Sequence, residues 1–199
     1  MAPKIISEHE RVQTKQAIIT HTKQLISLRR GIKNITVDDI VHSVGMGKGS
    51  FYAYFPSKEA CIYEVIEHTY KTDLAQFEAI MKEDLSLTEK VKKFLWDVFL
   101  AEGGIDRYMV ASDYEMILRK LPSEYIVRDE RAYEQVIMGM MRLLNLDRFQ
   151  LESLTVLLDC ISYVATQTTI SKAVKNVTLD TLILAVADYV EKSVKTEEH

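Results

Sequence analysis

Hydrophobic residues recur every three or four positions along nearly the whole chain, which is the spacing of one face of an α-helix. In the first such segment, about residues 8–30, Ile18, Leu25 and Ile26 follow this pattern. The same spacing predicts further helices at about 36–44, 47–54, 57–82, 88–102, 112–120, 122–144, 147–172 and 178–195. No segment keeps the two-residue alternation of a half-buried strand. The pattern therefore predicts an all-α chain of eight or nine helices.

Residues that favour helix ends divide these segments. Gly31 after two arginines is typical of a helix C-terminus, Gly45 to Gly47 form a turn, and Pro56 interrupts the chain. Side chains that can cap a helix N-terminus stand at Thr36, Ser57, Thr88, Ser112 (with Glu115), Asp147 and Thr178. The helix that begins near residue 57 is predicted to run without a break from a small N-terminal unit into the rest of the chain.

Composition narrows the class of protein. The 199 residues are 47% hydrophobic and 27% charged, which is globular composition and excludes a wholly disordered chain. Seven Gly and three Pro are too few for a turn-rich sandwich or barrel. No apolar run approaches the roughly 18 residues that a membrane helix needs, and no export signal is apparent, so a cytoplasmic protein without a membrane partner is expected. Cys61 and Cys160 are expected to be reduced core thiols.

Charge is distributed unevenly along the chain. Residues 1–60 carry nine Lys or Arg and five Asp or Glu, whereas the remaining residues carry 16 basic and 24 acidic groups. A basic N-terminal unit on an acidic body is compatible with nucleic-acid binding by that unit. Solvated surface charge explains the same asymmetry equally well, so the motifs must decide.

The stretch 36–54 has the layout of a helix-turn-helix. A capped helix, a glycine turn and a second short helix follow one another, and Ile40 and Val44 can pack against Phe51. The second helix then presents its N-terminus outward, as a helix that enters the major groove of DNA does. Lys48 adds positive charge there, and the glycines on either side of it allow a close approach to the backbone of DNA.

The sequence Thr36-Val-Asp-Asp-Ile-Val, followed by Val44-Gly-Met-Gly-Lys-Gly-Ser-Phe-Tyr-Ala-Tyr-Phe-Pro-Ser-Lys-Glu59, strongly resembles the motif of TetR-type transcriptional regulators. The resemblance covers about residues 10–65. It implies a three-helix DNA-binding domain at 8–68, joined by a long helix to a ligand-binding and dimerisation domain at 69–199. It further implies a homodimeric repressor that leaves a palindromic, double-stranded operator when a small inducer binds.

The resemblance also assigns DNA contacts, residue by residue. The positions that match are Thr36, Gly47, Lys48, Gly49, Ser50, Tyr52, Tyr54 and Lys58. Thr36, Tyr54 and Lys58 are expected to hold phosphates, and Ser50 and Tyr52 to lie nearest the base edges. This chain departs from the family where Gly47 replaces the usual Ser or Thr and where Ala53 offers no polar group. Operator shape is therefore expected to carry more of the specificity.

The body contains two candidate surfaces. Adaptable Met and aromatic side chains predict a pocket for an apolar or amphipathic inducer between the fifth and eighth helices. Its expected lining residues are Phe94, Trp96, Phe99, Tyr108, Met109, Tyr114, Met138 and Met141. Apolar stripes on the last two helices predict a four-helix dimer interface, with faces buried inside the monomer as the alternative. Its expected residues are Leu151, Leu154, Leu158, Ile161, Leu179, Leu182, Ile183, Val186 and Val190.

Other classes of protein are disfavoured. The glycines around Lys48 lack Walker A spacing, the five His residues lack metal-ligand spacing, and no nucleophile motif is present. We therefore expect no enzyme activity, no cofactor and no metal. Two alternatives stay open: a helical ligand-binding protein without specific DNA binding, and a regulator controlled by a protein partner or with a nucleoid role instead of a small inducer.

Overall fold

The computed structural model describes residues 7–195, and this part of the chain consists of nine α-helices and contains no strand. The helices are α1 (Glu8–Arg29), α2 (Val37–Val44), α3 (Lys48–Tyr52), α4 (Lys58–Ile80), α5 (Leu87–Phe94), α6 (Ala111–Leu118), α7 (Ser123–Leu144), α8 (Arg148–Thr166) and α9 (Lys172–Lys195). A π-helical turn, Leu95–Phe99, continues α5. The all-α prediction is confirmed.

Capping side chains set most helix starts, as the sequence indicated at Thr36, Ser57 and Asp147. Three predicted caps are wrong. α5 starts after Ser86, because Ser86 and Glu89 form a reciprocal capping box, while the hydroxyl of Thr88 donates to Glu191. α6 starts one residue before Ser112.

The last two helices also differ from the predicted ranges. α8 ends at Thr166 rather than near 172, and α9 begins at Lys172 rather than 178. The hydroxyl of Thr178 donates to the carbonyl of Val174 inside α9, a local bond that leaves Thr178 within the helix. At the true start of α9, the hydroxyl oxygen of Ser171 accepts a hydrogen bond from the amide of Val174.

The N-terminal core, here called the head core, lies among α1, α2, α3 and the first half of α4. Its most buried side chains include Ile18, Ile26, Ile40, Phe51 and Phe55. Four residues from beyond residue 100, Ile105, Met109, Ile117 and Leu121, pack into the same core. The head and the body therefore share one buried surface instead of meeting only at a linker.

A second core, the body core, lies among the end of α4, α5, α8 and α9. Phe77 and Ile80 of α4 belong to it, together with Phe94 and residues of the last two helices. The rings of Phe77 and Phe94 lie 4.7 Å apart. Because α4 contributes to both cores, as the sequence predicted, a tilt of this helix displaces side chains in both.

None of the helices described here is long and apolar enough to cross a membrane. Cys61 is buried, as expected, and its thiol lies 3.4 Å from the hydroxyl of Thr22. Burial raises the pKa of the Cys61 thiol to about 12, so it stays protonated at neutral pH. Cys160 is exposed, which corrects the expectation that both thiols lie in the core.

Candidate nucleic-acid interface and ligand cavity

The turn between α2 and α3 has the geometry that its glycines allow. Gly45 adopts the left-handed conformation, with φ 74° and ψ 37°, and its amide donates to the carbonyl of His42. The amide of Met46 then donates to Val41, which closes the end of α2. Phe51 is fully buried and its ring lies 5.6 Å from that of Phe55, so α3 is fixed from below.

The outer face of α3 is open. Gly47, Lys48, Gly49 and Ser50 are exposed, and Tyr52 is 53% exposed. A Cβ built on either glycine would meet no atom within 4 Å. The glycines are therefore not required by packing inside the head, which leaves close approach of an external partner as a reason for them.

Lys48 is not a free cation in this structure. Its ammonium nitrogen lies 2.9 Å from the Asp38 carboxylate of α2, and both side chains are more than half exposed. The Asp38 carboxylate raises the pKa of Lys48 by accepting its hydrogen bond. A phosphate at this site would have to compete with Asp38 for Lys48.

Thr36 and Lys58, assigned to phosphate contacts by the resemblance, have structural partners here. The hydroxyl of Thr36 donates to Asp39 at 2.6 Å and accepts from the Asp39 amide at 3.1 Å. The ammonium of Lys58 donates to the carbonyl of Ile35 at 2.8 Å, which ties α4 to the loop before α2. Tyr54 is partly buried against the head core. Of the assigned residues, the exposed ones lie along α3 and at Thr36.

A cavity of about 450 Å³ lies between α4, α5, the segment 106–111, α7 and α8. Four of the eight expected residues line it: Phe94, Phe99, Met109 and Tyr114. The other four do not. Trp96 and Met141 pack in the body core, Tyr108 packs against the head core, and Met138 is 54% exposed. The cavity face of α7 includes instead Ala132, Val136 and Met140, one helical turn apart, with Tyr133 and Ile137 beside them.

Sequence reasoning missed the acidic side of this cavity. Asp73 and Asp106 line it together with the rings of Tyr70 and Tyr133. Burial raises the pKa of Asp106 to about 7, with the Asp73 carboxylate as the second cause. Burial also raises the pKa of Asp73 to about 6. Nothing in the linear sequence distinguishes these carboxylates from surface ones, because their burial comes from helices far away in the chain.

A polar network connects the wall of the cavity to the head. Arg128 of α7 donates hydrogen bonds to Glu64, at 2.7 Å, and to Glu67. Glu64 also forms an ion pair with Lys15 of α1, at 3.1 Å. Hydrogen bonds from Arg128 and Lys15 outweigh burial and hold the pKa of Glu64 below its usual value. Next to Arg128, Asp129 accepts a hydrogen bond from the Tyr114 hydroxyl and lines the cavity.

The apolar stripes expected at a dimer interface lie mostly within the chain's own body core. Leu151, Leu154, Ile161, Leu179, Ile183, Val186 and Val190 are at most 5% exposed, and Leu158 and Leu182 pack partly buried against the same core. Side chains this buried cannot also cover a partner without separation of the helices. The periodic pattern identified the most apolar face of each helix, and that face is the intramolecular one.

The opposite faces of α8 and α9 expose other apolar residues, here called the outer α8–α9 stripe. On α8 these are Phe149, Val156 and Tyr163, spaced seven residues apart and 61–76% exposed. On α9 they are Val174, Val177 and Leu184, which are 51–67% exposed. Side chains that are three or seven residues apart lie on one side of a helix, so each set forms a stripe.

The fold, the exposed face of α3 and the cavity define a helix-turn-helix protein with an internal cavity beside the long helix α4. Comparison with known proteins agrees: residues 18–65 match the model of the tetR family of bacterial regulatory proteins. The N-terminal helix-turn-helix unit is therefore similar to that of TetR-family regulators, as the motif indicated.

Curated relatives match over part of their length. An uncharacterised HTH-type transcriptional regulator from Lactococcus lactis is 35% identical over 83 residues, which is 41% of this chain and 42% of that protein. The nucleoid occlusion factor SlmA of Haemophilus influenzae is 26% identical over 99 residues, 48% of this chain and 45% of that one. The chain thus matches less than half the length of these relatives.

Solved structures match over most of the chain and show the fold. A protein described as a TetR-family regulator from Vibrio parahaemolyticus has a TM-score of 0.52 at 18% identity, and covers 88% of this chain and 97% of its own. One from a Shewanella species has a TM-score of 0.51 at 15% identity, with coverages of 86% and 96%.

Proposed function

We propose that this protein is a sequence-specific DNA-binding repressor that works as a homodimer and is released from a palindromic operator by a small molecule in the body cavity. The observation that carries the proposal is the double role of α4. Its first turns, at Ala60 to Ile66, pack under the helix-turn-helix, and its next turns, at Tyr70 and Leu74, line the cavity.

DNA binding is proposed for the exposed face of α3. Gly47 to Ser50 and Tyr52 would enter the major groove, with Lys48 exchanging Asp38 for a phosphate. Thr36 and Lys58 stabilise the head through their hydrogen bonds to Asp39 and Ile35. Together with Tyr54, they would also contact phosphates at the edge of the head.

The dimer is proposed to form through the outer α8–α9 stripe. Six exposed apolar side chains on the stripe would be covered, and two helices from each subunit would make a four-helix bundle about a twofold axis. Two heads held at a fixed separation would then fit two half-sites of one operator.

Release by ligand is proposed to act through the segment 100–113 and α4. Gly104 is held tightly, since a Cβ there would lie 3.2 Å from three backbone carbonyl oxygens, and Lys33 of the head pairs with Asp113 at 3.0 Å. A ligand that moves the cavity wall would strain these contacts and the Arg128–Glu64–Lys15 network. The ligand works only if it binds the released state more tightly.

The test is fluorescence anisotropy with DNA from upstream of the protein's own gene, with a random duplex as control, over a salt series. We expect specific binding at least about a thousandfold tighter than random. Log K should fall with log salt at a slope of roughly −5 to −7 for a dimer with three or four phosphate contacts per subunit. Equal affinity for upstream, random and genomic-library duplexes would contradict the proposal.

One observation favours a second candidate, a regulator controlled by a protein partner or with a nucleoid role. The relative from Haemophilus influenzae is named a nucleoid occlusion factor. Filling the cavity separates the two candidates: Ala132→Phe, which adds a ring to the α7 wall, should abolish ligand response in the first and leave regulation unchanged in the second.

A further inference from the structure

The cavity is lined by apolar side chains over most of its wall, and its polar groups are strongly biased towards acids. Five carboxylates line it, Glu67, Asp73, Asp106, Asp129 and Asp159, against a single basic residue, Lys71. A pocket for a fatty acid or another anion would need the opposite bias, because buried like charges repel.

Two of the five carboxylates have partners in the protein. Glu67 pairs with Arg128 and with Lys71, the latter at 3.0 Å. Asp129 accepts the hydroxyl proton of Tyr114 in a hydrogen bond. Glu67 is therefore ion-paired with two cations and Asp129 is stabilised by a hydrogen bond, so neither carboxylate depends on a ligand for a partner.

The other three differ. Among residues 7–195, no Lys or Arg lies within ion-pair distance of Asp73, Asp106 or Asp159, and Lys23 of α1 acts on Asp73 and Asp106 only at longer range. Asp106 is 8% exposed, and its carboxylate accepts a hydrogen bond from its own backbone amide. A carboxylate this buried is costly unless it is paired with a positive charge or protonated.

The position of Asp106 indicates where in the cavity a positively charged group would bind. Its carboxylate is repelled by Asp73 of α4 and Asp159 of α8, so two helices and the turn before α6 direct acids towards one region of the cavity. Tyr70 lies beside the same acids, and Tyr133 and Tyr114 add further aromatic surface to the lining. Aromatic faces stabilise organic cations, and they do so more strongly when water is excluded.

We propose that the cavity binds amphipathic organic cations, with the charged ammonium group between Asp73 and Asp106 and the apolar part against Phe94, Phe99 and Met109. This inference rests on the proposed function in one respect: it names the chemical class of the inducer for the same cavity. A volume of about 450 Å³ is within the range of small-molecule sites.

The experiment compares three phenylalkyl probes of similar length and different charge by titration calorimetry on the full chain at pH 8, without DNA. The probes are 6-phenylhexyltrimethylammonium, its neutral analogue with carbon in place of nitrogen, and 6-phenylhexanoate. We expect the cation to bind at least tenfold more tightly than the neutral analogue, and the anion not to bind. Equal binding of the cation and the neutral analogue, tighter binding of the anion, or no binding of the cation would each overturn the proposal.

Variants locate the charge. Asp106→Asn and Asp73→Asn should each weaken the cation about tenfold while leaving the neutral analogue unchanged. Asp180→Asn, which removes an equal charge from an exposed position on α9, is the matched control and should leave both affinities unchanged. Cation affinity that survives in Asp106→Asn, Asp73→Asn and their double variant would overturn the proposed position.

Operator release is measured separately, by anisotropy of the DNA complex with the cation added. A cation that binds with the expected charge dependence but leaves the complex intact would support the cavity chemistry and contradict the inducer role. Failure of the two proposals is therefore distinguishable.

Discussion

A carboxylate of the head and one of the cavity have pKa values shifted in opposite directions. In the head, Asp39 caps α2 through Thr36 and pairs with Arg29 at 3.0 Å, and these contacts lower its pKa. In the cavity, Asp106 has no such partner, and burial raises its pKa to about 7. Asp39 is thus stabilised by partners within the head, whereas the cavity holds charge that something else must stabilise.

The difference follows from where the partners lie in the chain. Asp39 finds Thr36 three residues away and Arg29 ten residues away, so the head forms its contacts locally. Asp106 meets Asp73 and Asp159 from helices that are more than 30 positions distant on either side. A helix-turn-helix whose acid Asp39 is paired locally, and a cavity whose acids meet only through distant helices, suit a protein that keeps one binding surface constant and changes the other.

The largest effect is expected from the head core. Phe51→Ala removes a fully buried ring beside Phe55 and should cost about 3–5 kcal/mol of unfolding free energy, by loss of apolar burial and creation of a cavity. Urea denaturation measures this cost. Tyr52→Phe, one residue further on the exposed face, should change the unfolding free energy by less than about 0.5 kcal/mol. Equal costs for the two would mean that α3 is not fixed by Phe51.

The next largest effect is the pH dependence of stability that Asp106 contributes, and its sign distinguishes Asp106 from Asp39. Because the folded pKa of Asp106 lies above its unfolded value of 3.8, the folded state binds the extra proton between about pH 4 and 7, and stability falls as pH rises through that window. The loss should be of the order of a few kcal/mol, and Asp106→Asn should remove it and stabilise the protein at pH 8.

Asp39 should show the opposite sign. Its folded pKa is lowered, so its contribution is present above the unfolded value of 3.8 and is lost as pH falls through the folded pKa. Asp39→Asn should therefore destabilise the protein at neutral pH. Thermal unfolding of the two variants from pH 3 to 8 checks both slopes, and slopes of equal sign would refute the contrast between head and cavity.

A smaller effect is expected on DNA affinity. Lys48→Ala should weaken operator binding about tenfold and reduce the salt slope by about one per subunit, because one phosphate contact is lost. Stability should hardly change, since the Lys48–Asp38 pair is exposed. Asp38→Asn should have the opposite effect. Operator affinity should rise, because this change frees Lys48 and removes a negative charge near the DNA. A fall in affinity for Asp38→Asn would show that Asp38 helps to position Lys48.

The smallest effect concerns the link between cavity and head. Gly104→Ala places a Cβ 3.2 Å from the carbonyl oxygens of Val98, Phe99 and Ala101, so it should cost about 1 kcal/mol and change the ligand concentration needed for operator release. Gly103→Ala meets nothing within 4 Å and serves as control. Operator affinity without ligand should be the same for both, as measured by anisotropy. Identical ligand responses would place the coupling elsewhere.

Short-range features made much of the fold predictable. α1, α2, α4 and α7 begin and end within about two residues of the predicted positions, because Thr36, Ser57, Pro122 and the glycine turn act on neighbouring residues. The capping residue of α5 and the start of α9 were missed where more than one hydroxyl stood near the helix end. At Thr88 a partner on α9, Glu191, takes the side chain away from capping.

By itself, the sequence determined the helices and the helix-turn-helix motif, since capping, turn formation and apolar periodicity are decided over a few residues. Four of the eight residues it proposed for the cavity, Phe94, Phe99, Met109 and Tyr114, line the cavity. Only the tertiary structure decided which face of α8 and α9 is exposed, which of the expected DNA contacts already have partners, and which carboxylates are buried. These properties depend on helices packing across the chain, and burial, unlike helix formation, has no local signal.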